Sequence, residues 1–128
     1  MAKNKPVDHF AVACKQLGIS DVLPDVSAFQ EKDHKSITAY HKLIIIARAW
    51  NEGWEPNWRD RSQYKYFPWF YVDAAGLVCA SAYSAVTNSF AYFGSRLGFR
   101  TEALADRAKV ELRDLYMDFL FIPGEDVR

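Results

Sequence analysis

Apolar residues recur at helical spacing near the start of the chain, where Phe10, Ala13, Cys14 and Leu17 occupy i, i+3, i+4 and i+7 ahead of Gly18. This spacing predicts a helix over 7–18, closed by a glycine that tolerates the left-handed conformation. The pattern lapses from Ile19 to Lys35, where Pro24 and mixed charges predict an irregular connector anchored by Val22, Leu23, Val26 and Phe29. It returns with Ser36 as the expected N-cap of a second helix reaching about Glu52 and stopped by Gly53. Ile37, Tyr40, Ile44 and Ala47 form one apolar stripe of that helix, and Leu43, Ile46 and Trp50 form another. Two stripes predict burial over more than half the circumference, under a sheet or against a second subunit.

Residues 54–63 are rich in turn formers and charges and read as a structured loop. Tyr64 to Val72 then reads as an aromatic strand in which Pro68, which cannot donate to a ladder, marks an edge or a bulge. Asp73-Ala-Ala-Gly76 is the expected hairpin loop, followed by a strand over 77–83, a polar turn over 84–88, a third strand over 89–93 and a break at Gly94. Thr101 is the expected cap of a last helix to Phe121, with Leu104, Ala108, Leu112, Leu115 and Phe119 as its inner stripe. Glu102, Asp106, Arg107, Lys109, Arg113, Asp114 and Asp118 read as its solvated face. The expected fold is α+β in one domain over 1–128, with flexible ends at 1–6 and 123–128. Two N-terminal helices lead into a three-stranded antiparallel meander, and a C-terminal helix packs on the sheet.

Half of the residues are hydrophobic and a quarter charged, which excludes a disordered or fibrous chain. Sixteen basic and sixteen acidic residues leave no net field to draw nucleic acid, so nucleic acid is not an expected partner. Cys14 and Cys79 lie far apart, and His9, His34 and His41 share no metal spacing with them, so no metal or cofactor is expected. The longest aliphatic run, Leu43 to Ala47, is far too short for a bilayer and no apolar leader follows Met1, so no membrane contact and a cytoplasmic location are expected. No nucleophile, metal-protease or phosphate-loop motif occurs, so no catalytic residue is assigned and no enzyme activity is expected.

Three blocks, Asn51-Glu-Gly-Trp-Glu-Pro-Asn-Trp58, Tyr64-Lys-Tyr-Phe-Pro-Trp-Phe70 and Gly94-Ser-Arg-Leu-Gly-Phe-Arg-Thr101, resemble a family of small uncharacterised proteins of Bacteroidetes and their phages and prophages. The resemblance spans roughly residues 8–122 and implies a mobile-element origin and the cytoplasm of a bacterial host. It carries over no catalytic residue.

The candidate chemistry lies in two stretches. Eight of the twenty aromatic residues fall within positions 54–71, together with Arg59, Arg61 and Lys65. Rings that stack a base beside cations that grip phosphate suit a nucleotide-like anion, with Trp58, Tyr64 and Trp69 as stacking candidates. Strand alternation demands that one face of this segment be core instead. The second stretch is Ser95, Arg96 and Arg100; no acidic residue lies between Ala74 and Arg100, which leaves these arginines without a local carboxylate. The first functional reading is therefore stoichiometric capture of a small anionic nucleotide-like ligand, and the phage setting extends it to a host immune signal. The alternative is a protein-interaction module, a virion component or an inhibitor of a host protein, because Trp, Tyr and Arg are also interface anchors. A concavity around Trp58, Arg61 and Tyr64 favours capture, whereas a flat aromatic patch favours a protein partner. The apolar Leu43–Trp50 segment adds the expectation of a homo-oligomer, a dimer first.

Overall fold

The computed structural model describes residues 6–81 and 84–127. Residues 1–5 of the flexible start expected at 1–6, the strand end at Ala82 and Tyr83, and Arg128 lie outside them. The chain is α+β, with four α-helices and four three-residue strands among the described residues.

Helix α1, His9–Leu17, starts where the Asp8 carboxylate accepts the Ala11 N–H at 3.0 Å and stops at Gly18 with φ 69°. It buries Phe10, Ala13 and Cys14 against α2, His34–Trp50. The connector before α2 is not anchored as expected: Val22, Leu23 and Phe29 are exposed, and a 3-10 turn at Glu31–Asp33 leads into the helix. Ser36 is not its cap either. It lies inside α2 and donates its hydroxyl to the Phe119 carbonyl at 2.8 Å, tying α2 to the C-terminal helix. Leu43, Ile45, Ile46, Ala47 and Ala49 of α2 are buried, α1 and α4 covering them within the same chain. Full burial of Leu43, Ile45 and Ile46 contributes about 1.5–3 kcal/mol each. The apolar run at Leu43–Trp50 therefore supplies no argument for a second subunit.

The expected single helix over 101–121 is two. Thr101 accepts the Leu104 N–H at 3.2 Å as the predicted cap of α3, Glu102–Glu111, but Leu112 departs to φ −109° and ψ 16° before α4, Arg113–Leu120. The bend lets α3 lie against β1 while α4 lies along α2, with Ala105, Ala108, Leu112 and Tyr116 buried throughout. Lys109, expected in solvent, is buried and donates to the Ser81 carbonyl at 2.7 Å and to Asp106 at 3.2 Å.

The meander is two separate antiparallel pairs. β1, Lys65–Phe67, pairs with β4, Ala85–Thr87, in the register Lys65↔Thr87; β2, Phe70–Val72, pairs with β3, Val78–Ala80. Pro68 breaks the aromatic strand and reverses its faces: Lys65 and Phe67 point inward before it, Phe70 packs on Tyr116 after it, and Trp69 and Tyr71 turn outward. The hairpin falls as expected, its turn held by the Asp73 carboxylate accepting from the Ala75 and Leu77 N–H groups at 2.9 Å each. The third strand occupies the stretch expected as a turn. The Thr87 hydroxyl oxygen accepts from the Ser89 and Phe90 N–H groups, and Tyr92 takes a positive φ of 44°, so 88–93 is a loop.

Candidate functional site

The first candidate site gathers where α2 ends. Asn51 caps the helix and is buried; its amide donates to the Gly98 carbonyl at 2.9 Å and its oxygen accepts the Arg100 N–H at 3.1 Å. Both ends of the side chain are thus spent on fixing Gly98–Arg100 beside α2. Phe99 then bridges to Tyr66 of β1, which extends the same fixed frame to the sheet. Gly98 stands so close to the Phe67 ring that a Cβ there would meet Cζ at 3.3 Å.

The 54–63 loop is stitched from within. Lys65 is fully buried, and its ammonium donates to the Asn57 and Gln63 carbonyls at 2.8 and 2.9 Å while lying 4.9 Å from the centre of the Trp58 ring. The Gln63 side chain accepts the Asn57 N–H at 2.6 Å, and the Asn88 amide donates to the Arg61 carbonyl at 2.9 Å. Asp60 takes the Ser62 hydroxyl and N–H, and these bonds hold its carboxyl below the usual range. The Trp58 indole N–H donates to the Ser95 hydroxyl oxygen at 2.7 Å, joining this loop to the second candidate stretch.

Against this frame the predicted residues fall into three groups. Trp58, Lys65 and Ser95 are brought together, with Lys65 facing inward as a pin for the loop. Arg96 joins Ser95 on the wall of a groove of about 330 Å³. Arg59, Arg61 and Tyr64 are exposed, and Trp69 is exposed against Tyr92, its ring centre 5.8 Å away. Arg100 has no carboxylate close in sequence but is not left unpaired: its guanidinium meets Glu52 at 3.1 Å, a partner 48 positions back in the chain.

The groove also presents residues that the sequence did not single out. Arg48 lines it from α2, Asn51 from the cap of that helix, and Trp54 and Glu55 from the turn that follows, facing the already singled-out Ser95 and Arg96 on a 3-10 turn at Ser95–Leu97. Their only signal in the sequence is that Arg48, Asn51 and Trp54 fall at helical or near-helical spacing. No family model, curated protein or solved structure matches this chain. The site must be read from its own chemistry.

A second surface stands out beside it. Trp69, Phe90, Tyr92 and Phe93 keep 50, 71, 49 and 37% of their surface in solvent. Tyr92 lies at the centre, 5.8 Å from Trp69 and 6.5 Å from Phe90, and Phe93 joins through the buried Phe67. Among the described residues no helix is long and apolar enough to cross a membrane, and no group of three or more His, Cys, Asp and Glu could hold a metal ion.

Proposed function

We propose that the chain works by contact with another protein through the aromatic face of Trp69, Phe90, Tyr92 and Phe93. The observation that carries this reading is the exposure of four clustered rings. Each ring leaves unrealised a share, roughly half, of the about 1.5–3 kcal/mol that full burial contributes, and aromatic side chains are the usual anchors of protein interfaces. The cluster stands on a fixed base, because Phe67 beneath it is fully buried and touches both Tyr92 and Phe93. Capture of a small anion has a different geometry to rest on, the groove between Arg48 and Arg96.

A photo-crosslinking amino acid at position 90 tests the interface reading in cells that make the chain. The control is position 110, where Val110 is an equally exposed apolar residue on α3. A discrete protein adduct from position 90 alone is expected, and it should disappear when Trp69 and Tyr92 are changed to Ser. An adduct of twice the chain mass identifies a second copy; any other mass identifies a different protein. Equal yields from both positions, or none from position 90, refute the reading.

A further inference from the structure

We propose that the groove at the end of α2 binds a small phosphate monoester carrying a flat ring, a ligand of nucleoside monophosphate size. Its walls hold two guanidinium groups, Arg48 and Arg96, and neither makes an ion pair or a hydrogen bond with any described residue. Elsewhere Arg100 and Arg107 each find a glutamate, and Arg113 donates to the Val78 carbonyl at 2.7 Å. Two like charges left unpaired on one concave surface repel each other mildly, and an anion between them removes that repulsion. Guanidinium forks also match phosphate oxygens in a bidentate way.

The remaining lining narrows the ligand further. Trp54 offers an indole face within the same groove, suited to stacking a planar ring. Ser95 already accepts the Trp58 N–H through its oxygen, so its hydroxyl proton is free to point at an acceptor. Glu55 is the one carboxylate on the rim and is itself unpaired among the described residues, which favours a ring bearing an N–H donor over a bare anion. The volume, about 330 Å³, falls at the lower end of the ~300–1,000 Å³ range of small-molecule sites. The two walls are held in register before any ligand arrives: Asn51 bonds across to Gly98 and Arg100, and Leu97, next to Arg96 in the chain, is wholly buried. Little of the binding energy need be spent on ordering them.

The test titrates adenosine 5′-monophosphate, adenosine and inorganic phosphate separately into the full chain, followed by calorimetry and by amide chemical shifts. Adenosine monophosphate is expected to bind below about 1 mM, with adenosine and phosphate each at least about tenfold weaker, since each lacks one half of the match. Arg48→Gln and Arg96→Gln should each weaken it about tenfold or more, while Arg59→Gln, outside the groove, should leave it unchanged. Both groove arginines are exposed, so unaltered melting curves are expected and would separate lost binding from lost folding. Absence of binding at about 10 mM, phosphate binding as tightly as the nucleotide, or an affinity indifferent to Arg48 and Arg96 each overturns the proposal. None of these outcomes bears on the crosslinking at position 90.

Discussion

Replacing Lys65 by methionine isolates what a fully buried ammonium contributes to this fold. The Lys65 amine makes two bonds to loop carbonyls, at 2.8 and 2.9 Å, and lies against the Trp58 ring. Hydrogen bonds from a charged donor contribute about 1.5–3 kcal/mol each and the ring contact about 0.5–2 kcal/mol, or roughly 4–8 kcal/mol together. Methionine keeps the apolar stem but no longer carries a charge whose removal from water costs several kcal/mol. The carbonyls it abandons are also near the surface, where water can reach them. The difference leaves Lys65→Met about 1–3 kcal/mol less stable than the parent. Lys65→Ala also deletes three methylenes at about 0.8 kcal/mol each, which brings its loss to about 3–5 kcal/mol. Urea unfolding with fitted m-values measures both, and hydrogen exchange at 57–63 shows whether the loop opens first. A methionine variant as stable as the parent, with unchanged exchange in the loop, would refute the view that Lys65 is a structural pin.

Asn51→Ala leaves the buried Gly98 carbonyl and the Arg100 N–H without a partner, so a loss of about 2–4 kcal/mol is expected in thermal or chemical unfolding; Asn51→Asp, which can still accept from Arg100, should retain part of it. Burial, with Asp21 and Asp8 nearby, pushes the Cys14 thiol above its ordinary value. In a Cys79→Ser background it should resist iodoacetamide at pH 8 until the chain unfolds. Because the folded-state value is the higher one, its contribution to stability is complete below the ordinary thiol range and is lost as pH rises above that range through the raised folded-state value, measurable as a falling unfolding midpoint.

The helices were legible because burial imposes a 3.6-residue period on whichever face is covered, and α1, α2 and the cap at Thr101 lie where that period placed them to within three residues. The break at Leu112 was not, since the apolar stripe continues unchanged through it; only the need to cover both β1 and α2 bends the chain there. The third strand of the expected meander was misplaced because Phe90 and Tyr92 have strong strand propensity, while Ala85-Val86-Thr87 is only three residues long and sits between the turn formers Ser84 and Asn88. Pairing with β1 and the Thr87 side-chain turn decided against propensity. At the site, a cation among aromatics reads the same whether it awaits a ligand or braces a loop. Lys65 turned out to brace, whereas Arg96 is left free beside Arg48, a residue that its sequence position marked only as part of a helix.

The internal bonding of 54–63 bears on how such a surface would operate. Backbone and side chains of Asn57, Asp60, Ser62, Gln63 and Lys65 satisfy one another, and Trp58 and Asn88 connect the loop to Ser95 and β4 respectively. A loop so cross-linked has lost most of its conformational freedom on folding, at about 1–2 kcal/mol per residue of backbone entropy. That cost is met by the folding equilibrium and not by any later association, so a partner or ligand would meet surfaces already in place. The arrangement is therefore unsuited to a lid that closes over bound molecules, and suited to a fixed scaffold from which the Arg48–Arg96 groove and the Trp69–Tyr92 ridge present their side chains. Loosening the loop through Lys65 should for that reason weaken binding at the groove beyond what the Arg48 and Arg96 charges explain, with the on-rate little changed and the ordering cost appearing as a less favourable entropy.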